Sequence, residues 1–320
     1  MENKNINICF ASDNWYAEHL LVAIYSLIYN LNKDYNAVVY ILDWWISKEN
    51  TIKIKNIESK FNNIKIEFIK IIDEKYSKID SKHLTKEAYF RIDLPYIFPN
   101  LDMILYLDCD IIVDDDISSI DSFQLWDKVI WAPNDIWTYH YYNKILCIPW
   151  DNEFFNTWVL LMNLDSMRKN EISKKIFEYI DKNIEKIIAC DQDAINAVCW
   201  DKKLVIPLKY NALDWVFMWF RNKLFTKEEY NGARKNPVVI HYAWSKPWKK
   251  YCTHPLRNKY HEFRKLAWLD DVVYQEWLQI KLLKKNLVWL LWIYLLNTIP
   301  RNLYYYIVFK PKQLLSNIIK

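Results

Sequence analysis

The chain has 320 residues, of which 52% are hydrophobic and 26% charged, with a formal net charge of +4. That composition supports one large domain, or one domain with an appendage, and excludes a disordered chain. So mild a positive balance gives no case for a nucleic-acid partner.

Residues 6–11 predict a strand, with Ser12, Asp13 and Asn14 as turn and helix N-cap. Apolar residues then recur at helical spacing over 16–29, and 37–42 form a second strand. Ser47 opens a second helix, and 64–69 alternate as a half-buried strand. This strand and helix alternation argues for a Rossmann-like, doubly wound, mostly parallel α/β sheet with flanking helices. Residues 84–96 read as a helix ending near Pro99, followed by a strand over 103–107 and a short apolar run at 111–113. Later strands are expected at 129–132, 159–162, 204–206 and 238–240, the last leading into His241. Helices are expected over 166–187 and from Asp191 onward. No internal repeat or low-complexity linker interrupts the series.

After about residue 270 the character changes. Apolar and aromatic residues mix with Lys284, Lys285, Arg301, Lys310 and Lys312, and the longest uncharged run, residues 286–300, is 15 long. That is short of the roughly 20 residues a bilayer requires. The expectation is a catalytic domain over 1–270 and a basic, aromatic, helical tail over 271–320 lying on a membrane surface. A tail packed on the domain or on a second subunit is the alternative.

Six cysteines (Cys9, Cys109, Cys147, Cys190, Cys199, Cys252) lie scattered, without a C-x-x-C pair or a secretory signal. A reduced, cytoplasmic protein, peripheral on the inner face of the cell membrane through its tail, is the expectation.

The glycine and tryptophan counts are abnormal. There are 1 Gly and 17 Trp, whereas ordinary usage of roughly 7% would give about 22 glycines. Trp45 follows a strand, and Trp200 sits between a helix and a strand, where a chain usually places Gly. Most of these tryptophans read as UGA codons, which some bacterial lineages translate as glycine, decoded as Trp. A naturally Trp-rich protein is the other reading.

The strongest chemical signal is Asp108-Cys109-Asp110, two carboxylates delivered at the end of a buried strand. Ligand sites of open α/β sheets lie outside the carboxyl ends of their strands. Two hard oxygen ligands there suit Mg²⁺ or Mn²⁺ carrying a diphosphate. The bland reading is a strand running into an acidic turn, which Asp114, Asp115 and Asp116 continue.

Four further segments bear on it. Ala11, Ser12 and Asp13 follow the first strand. Arg91 lies on a helix just before the metal strand, suited to a phosphate or carboxylate. Cys190-Asp191-Gln192-Asp193 begins a helix. His241, at a strand end, completes an Asp, Asp, His set, and Lys246 five residues on is placed to reach a phosphate. Each also has a structural reading: a surface salt bridge for Arg91, N-terminal helix chemistry for Asp191 and Asp193, and a core histidine for His241.

In order, these segments resemble glycosyltransferase family 8, retaining enzymes of the GT-A fold that include bacterial lipopolysaccharide galactosyl- and glucosyltransferases. The resemblance covers about 5–265 and rests on the FAxD-type start, the YxRxxL-type helix, the YLDxD strand, the DQD helix and the HYxGxKPW-type strand end. It implies a UDP-sugar donor, a saccharide or glycolipid acceptor, and Mn²⁺ (or Mg²⁺) held by Asp108, Asp110 and His241. It further implies Ala11, Ser12, Asp13 and Tyr16 on the uridine or acceptor side, Cys109 and Trp244 at the donor, and Arg91 and Asp191 positioning the donor sugar. Asn156 and Thr157 would contact the hexose, Lys246 a phosphate, and His83 and Asp135 the donor or acceptor. Gln192 would lie near the anomeric carbon. Relatives carry glycine at the positions of Trp15, Trp45, Trp158 and Trp244, whereas Trp126 and Trp248 match family tryptophans. An indole at 244 would impede donor binding. The His241 to Lys246 spacing is one residue shorter than in some relatives.

Two rivals differ in class. Haloacid-dehalogenase phosphatases also end a strand in D-x-D, but their motif continues with a small residue and Thr, whereas Ile111 and Ile112 follow here. A catalytically inactive carbohydrate- or membrane-binding relative is the third possibility, left open by Trp244.

Overall fold

The computed structural model describes residues 3–72, 87–123, 128–135, 146–149, 152–187, 189–217 and 225–272. Strand β1 (Lys4–Asp13) pairs in parallel with β2 (Tyr35–Trp44), and β2 with β3 (Ile64–Lys70). On its other side β1 pairs in parallel with β4 (Met103–Leu107). Then β7 (Val159–Asn163) runs antiparallel to β4, β6 (Ile130–Ala132) antiparallel to β7, and β8 (Lys203–Val205) parallel to β6. The seven-stranded order β3-β2-β1-β4-β7-β6-β8 is a mostly parallel Rossmann-like sheet, as the alternation predicts.

Both faces of this sheet are buried. Ile8, Phe10, Leu105, Leu107, Val159 and Leu161 face one apolar cluster, packed with helix Ala17–Asn30. Their alternates Cys9, Ile104, Tyr106, Leu160 and Met162 face the other, packed with helices Ile172–Asn183 and Cys190–Cys199. Strands covered on both sides must be continuously apolar, which is why 103–107 and 159–162 show no polar alternation.

A second, three-stranded sheet, β5-β10-β9, joins β5 (Ile111–Val113), β10 (Val239–His241) and β9 (Ala212–Leu213). Its strands are two or three residues long, too short to carry a readable period. The chain leaves the large sheet at Leu107 and enters the small one at Ile111, so Asp108, Cys109 and Asp110 form the crossing between them.

Several expected boundaries shift. Ser12 and Asp13 extend β1 rather than forming the turn. The first helix begins at Ala17, and Asp13 Oδ1 accepts from the Tyr16 N–H at 2.9 Å. The helix expected over 84–96 is broken into Glu87–Phe90, a 3₁₀ turn Arg91–Asp93, and Leu94–Ile97. Pro95 causes this: it offers no N–H to the Arg91 carbonyl, and its ring would clash with it. The helix expected over 166–187 divides into Leu164–Lys169 and Ile172–Asn183 at Glu171, whose φ is 50°. Helices Lys227–Lys235, started by a Thr226–Glu229 capping box, and Arg257–Leu266 are additional. Ser47 caps helix Lys48–Lys55 as expected, accepting from the Asn50 N–H at 3.2 Å.

Among the described residues, two tryptophans occupy left-handed backbone: Trp45 at φ 63° and Trp268 at φ 56°. Trp268 stands at the C′ position of helix Arg257–Leu266, where its N–H donates to the Lys265 carbonyl (3.0 Å) and that of Leu269 to the Arg264 carbonyl (3.1 Å). Those two bonds define a Schellman cap, whose C′ residue is usually glycine. Trp200 differs from expectation: its φ of −53° is ordinary right-handed backbone, so the turn there makes no demand for Gly. Among the described residues no helix is long and apolar enough to cross a membrane. His83, Trp126 and the tail beyond residue 272 lie outside the described residues.

Candidate active site

The crossing from the large sheet to the small one builds the floor of a cleft of about 370 Å³. Ala11, Ser12, Asp13 and Tyr16 line it from the end of β1, Asp108, Cys109 and Asp110 from the crossing, and Asp191 and Gln192 from the start of helix Cys190–Cys199. Arg91 and Trp158 also line it. Ten of the expected donor, catalytic and metal residues therefore share one concave surface at the carboxyl ends of β1 and β4, where open α/β sheets hold ligands.

Three elements converge on the acids. Asp108 is fixed through its N–H, which donates to the Trp158 carbonyl at 3.0 Å. The Asp110 carbonyl accepts from the Tyr242 N–H at 2.9 Å, tying the crossing to β10. His241, fully buried at the end of β10, places Nε2 3.1 Å from Asp110 Oδ1. Lys246 Nζ contacts Asp110 Oδ2 from the loop beyond. Ligand atoms of Asp108, Asp110 and His241 all lie within 4.8 Å of one another. Two carboxylates and an imidazole fit a hard to borderline divalent ion such as Mn²⁺.

The two acids of the motif are driven apart electrostatically. Burial pushes the Asp108 carboxyl above its ordinary value, against the attraction of Arg91. Burial acts on Asp110 too, but Lys246 and His241 outweigh it and hold that carboxyl well below the usual range. Lys246 in turn stays charged against its burial because Asp110 faces it.

Arg91 is buried and engaged on every side. Its Nη2 lies 3.2 Å from Asp108 Oδ1 and its Nε 3.2 Å from Asp191 Oδ2. Nη1 donates to the Thr157 carbonyl, and the guanidinium stacks 4.4 Å from the Tyr106 ring centroid. The surface salt-bridge reading of Arg91 is thereby excluded: it clamps β4 to helix Cys190–Cys199. Burial would lower its pKa, and Asp191, Tyr106 and Asp108 more than restore it. Burial pushes Asp191 up to about 7, with Arg91 opposing.

Asn156 and Thr157 lie fully buried behind the wall. Thr157 N–H donates to Gln192 Oε1 at 3.1 Å, and Gln192 Nε2 donates to Asp135 Oδ2 at 3.3 Å. Asp135 is itself buried and accepts from Asn156 Nδ2 at 3.3 Å, so it belongs to the network beneath Gln192. Trp244 is about half exposed. Its N–H and that of Ser245 both donate to Asp214, each at 3.1 Å. Burial raises the Asp214 carboxyl to about 6. Trp158 turns its ring toward His241, with centroids 5.3 Å apart.

Sequence reasoning missed Asn211 and Asp214, which support His241 and the loop carrying Lys246. Asn211 lies 30 positions before His241, and no local spacing marks it.

Comparison with known proteins agrees with this geometry. The model of glycosyl transferase family 8 matches residues 7–252. General stress protein A of Bacillus subtilis (strain 168) is 27% identical, the match covering 82% of this chain and 94% of that protein. A lipopolysaccharide 1,2-glucosyltransferase of Escherichia coli is 21% identical, with 86% and 82% covered. The crystal structure of the galactosyltransferase LgtC with donor and acceptor sugar analogs superposes with a TM-score of 0.72 at 25% identity, covering 84% of this chain and 98% of that one. The fold is GT-A, and the family match sets the phosphatase and inactive-relative readings aside; Ile111 and Ile112 instead begin the second sheet that delivers His241 to the acids. The chain is a glycosyltransferase acting with a nucleotide-sugar donor and a saccharide acceptor, and it belongs to glycosyl transferase family 8.

Proposed function

We propose that this enzyme transfers a hexose, galactose or glucose, from a UDP-sugar to a saccharide acceptor with retention of anomeric configuration, in lipopolysaccharide or other cell-surface glycan synthesis. The observation that carries the reading is the convergence of Asp108, Asp110 and His241 within 4.8 Å of one another, with the two acids lining the cleft. The glucosyl- and galactosyltransferase relatives supply the sugar class. Asp108, Asp110 and His241 would hold Mn²⁺ (or Mg²⁺). A divalent ion there supplies Lewis-acid stabilisation of charge on a departing diphosphate.

The remaining work falls to side chains. Lys246, charged and beside Asp110, would meet a phosphate oxygen and stabilise its charge. Ala11, Ser12, Asp13 and Tyr16 offer the nucleoside a wall at the end of β1. Asp191 faces the cleft to position the donor sugar, with Arg91 fixing it and Asp108 in register from behind. Gln192 meets the anomeric centre. Its amide oxygen already accepts from the Thr157 N–H, and an uncharged amide is a poor nucleophile. We therefore favour attack on the leaving group's own face. A UDP β-phosphate oxygen takes the acceptor proton while Gln192 stabilises the oxocarbenium-like state.

A UDP-sugar panel tests the reading. Release of UDP from UDP-galactose or UDP-glucose, dependent on Mn²⁺, supports it; no turnover with any UDP-hexose refutes it. Because indoles at 158 and 244 would crowd the backbone's approach to the donor, the panel includes the variant with glycine at both positions.

A further inference from the structure

Beneath the cleft runs a chain of buried amides whose orientation is fixed by groups that can only donate. The Trp158 N–H donates to Asn156 Oδ1 at 3.0 Å, which identifies that atom as oxygen and turns Asn156 Nδ2 toward Asp135 Oδ2, 3.3 Å away. A carboxylate can only accept, so both ends of Asn156 agree. Asn156 Oδ1 also faces Asn211 at 3.1 Å. The Asn211 atom there must be its NH₂ group, and its carbonyl oxygen therefore points the other way. It points at His241 Nδ1, 2.8 Å distant. An acceptor in that position requires the ring proton on Nδ1. Nε2, the nitrogen directed at Asp110, is then the one left to bind a metal, whose arrival displaces the proton that the Asp110 carboxylate can only accept from it.

We propose that Asn211 is a positioning residue for His241, fixing both the ring's rotation and the nitrogen it offers to the metal. The inference rests on the metal reading above and extends it to a residue outside the cleft. Asn211 and His241 are each about 1% exposed, so water does not replace the contact. Histidines that bind metals characteristically donate their second N–H to a neighbouring acceptor, and losing that acceptor weakens affinity by about 10- to 100-fold. The adjacent Thr157 N–H orients Gln192 in the same manner, with Gln192 Nε2 reaching the same Asp135 oxygen. Asp135 thus terminates two amide chains, one ending at the metal histidine and one at the residue facing the sugar.

The test measures Mn²⁺ binding to the full chain without donor, by electron paramagnetic resonance, for the parent, Asn211→Ala and Asn211→Asp. Asn211→Ala should bind about 10- to 100-fold more weakly. Asn211→Asp keeps an acceptor for Nδ1–H and should bind at least as tightly as the parent, although it can no longer donate to Asn156. A role in folding alone would not be rescued in this way. Nitrogen-15 spectra of histidine-labelled parent protein loaded with diamagnetic Mg²⁺ should show the His241 proton on Nδ1, and this stands even if Asn211→Ala does not fold. Equal Mn²⁺ affinity for a folded Asn211→Ala, or a proton on Nε2, overturns the proposal. A parent that binds no Mn²⁺ refutes the metal reading itself.

Discussion

His241 Nε2 lies 3.1 Å from Asp110 Oδ1 although 131 positions separate the two residues. One ends a strand of the small sheet and the other the crossing out of the large sheet, so the contact exists only when both sheets are assembled. Replacing Asp110 with Asn should remove turnover by at least about a hundredfold, because it deletes a charged ligand from the site of electrophilic stabilisation. Activity should also vanish in EDTA and return with Mn²⁺. A steady-state assay across the chelator titration checks both, and full activity in chelator contradicts the ligand set.

Gln192 gives a second prediction. Its amide is held by Thr157 and Asp135 rather than activated by a base. Gln192→Ala should therefore lose about 10²- to 10³-fold in kcat while keeping the product's anomeric configuration. Mass spectrometry of quenched reactions reports any covalent intermediate. A glycosyl adduct on Gln192, Asp191 or Asp193 would overturn same-face attack.

How far the sequence reached depends on locality. The D-x-D strand was readable because a buried parallel strand is an apolar run, and its carboxylates break that run visibly. Arg91, Asp191 and Gln192 sit near recognisable strand ends or helix starts. Asn211 and Asp214 were not readable, since each matters only through a partner about 30 positions away, His241 in one case and the 244–245 backbone in the other. The second sheet was partly legible: 111–113 and 238–240 stood out as apolar runs, whereas the two-residue strand Ala212–Leu213 carries no period and nothing local marks the pairing of the three. Glu171 in left-handed backbone gave no warning, because the apolar helical pattern continues on either side of it.

Asp214 predicts a pH dependence. Its folded pKa of about 6 exceeds the unfolded value, which is about 3.9. The folded protein then binds more protons between those values, so this group's stabilisation is complete below about pH 4 and is lost as pH rises through about 6. Relative to Asp214→Asn, the parent should lose on the order of 3 kcal/mol across that window. Urea midpoints measured from pH 4 to 7 check it. Parallel curves for the two proteins would show that Asp214 does not titrate there.

The tryptophans predict a result in the gene. We propose that Trp15, Trp45, Trp158, Trp200 and Trp244 are glycines in the living protein, read from UGA, whereas Trp126 and Trp248 are read from UGG. Backbone conformation supports Trp45 and adds Trp268, both left-handed and more than half exposed. It gives Trp200 no such support. Trp45→Gly should stabilise the chain by about 1–2 kcal/mol, the cost of a side chain in that region. Thermal denaturation measures the gain, and the codons decide the rest: UGG at all seven positions would make the tryptophans genuine.

The central claim is retaining transfer of a hexose from UDP. Proton NMR of the product formed from an α-linked UDP-hexose, by the variant with glycine at 158 and 244 in Mn²⁺, reads the new anomeric centre directly. The account predicts an α-glycoside, recognised by its small coupling between H1 and H2, and release of UDP. A β-glycoside, or no glycoside from either UDP-galactose or UDP-glucose across a panel of saccharide acceptors, would contradict it.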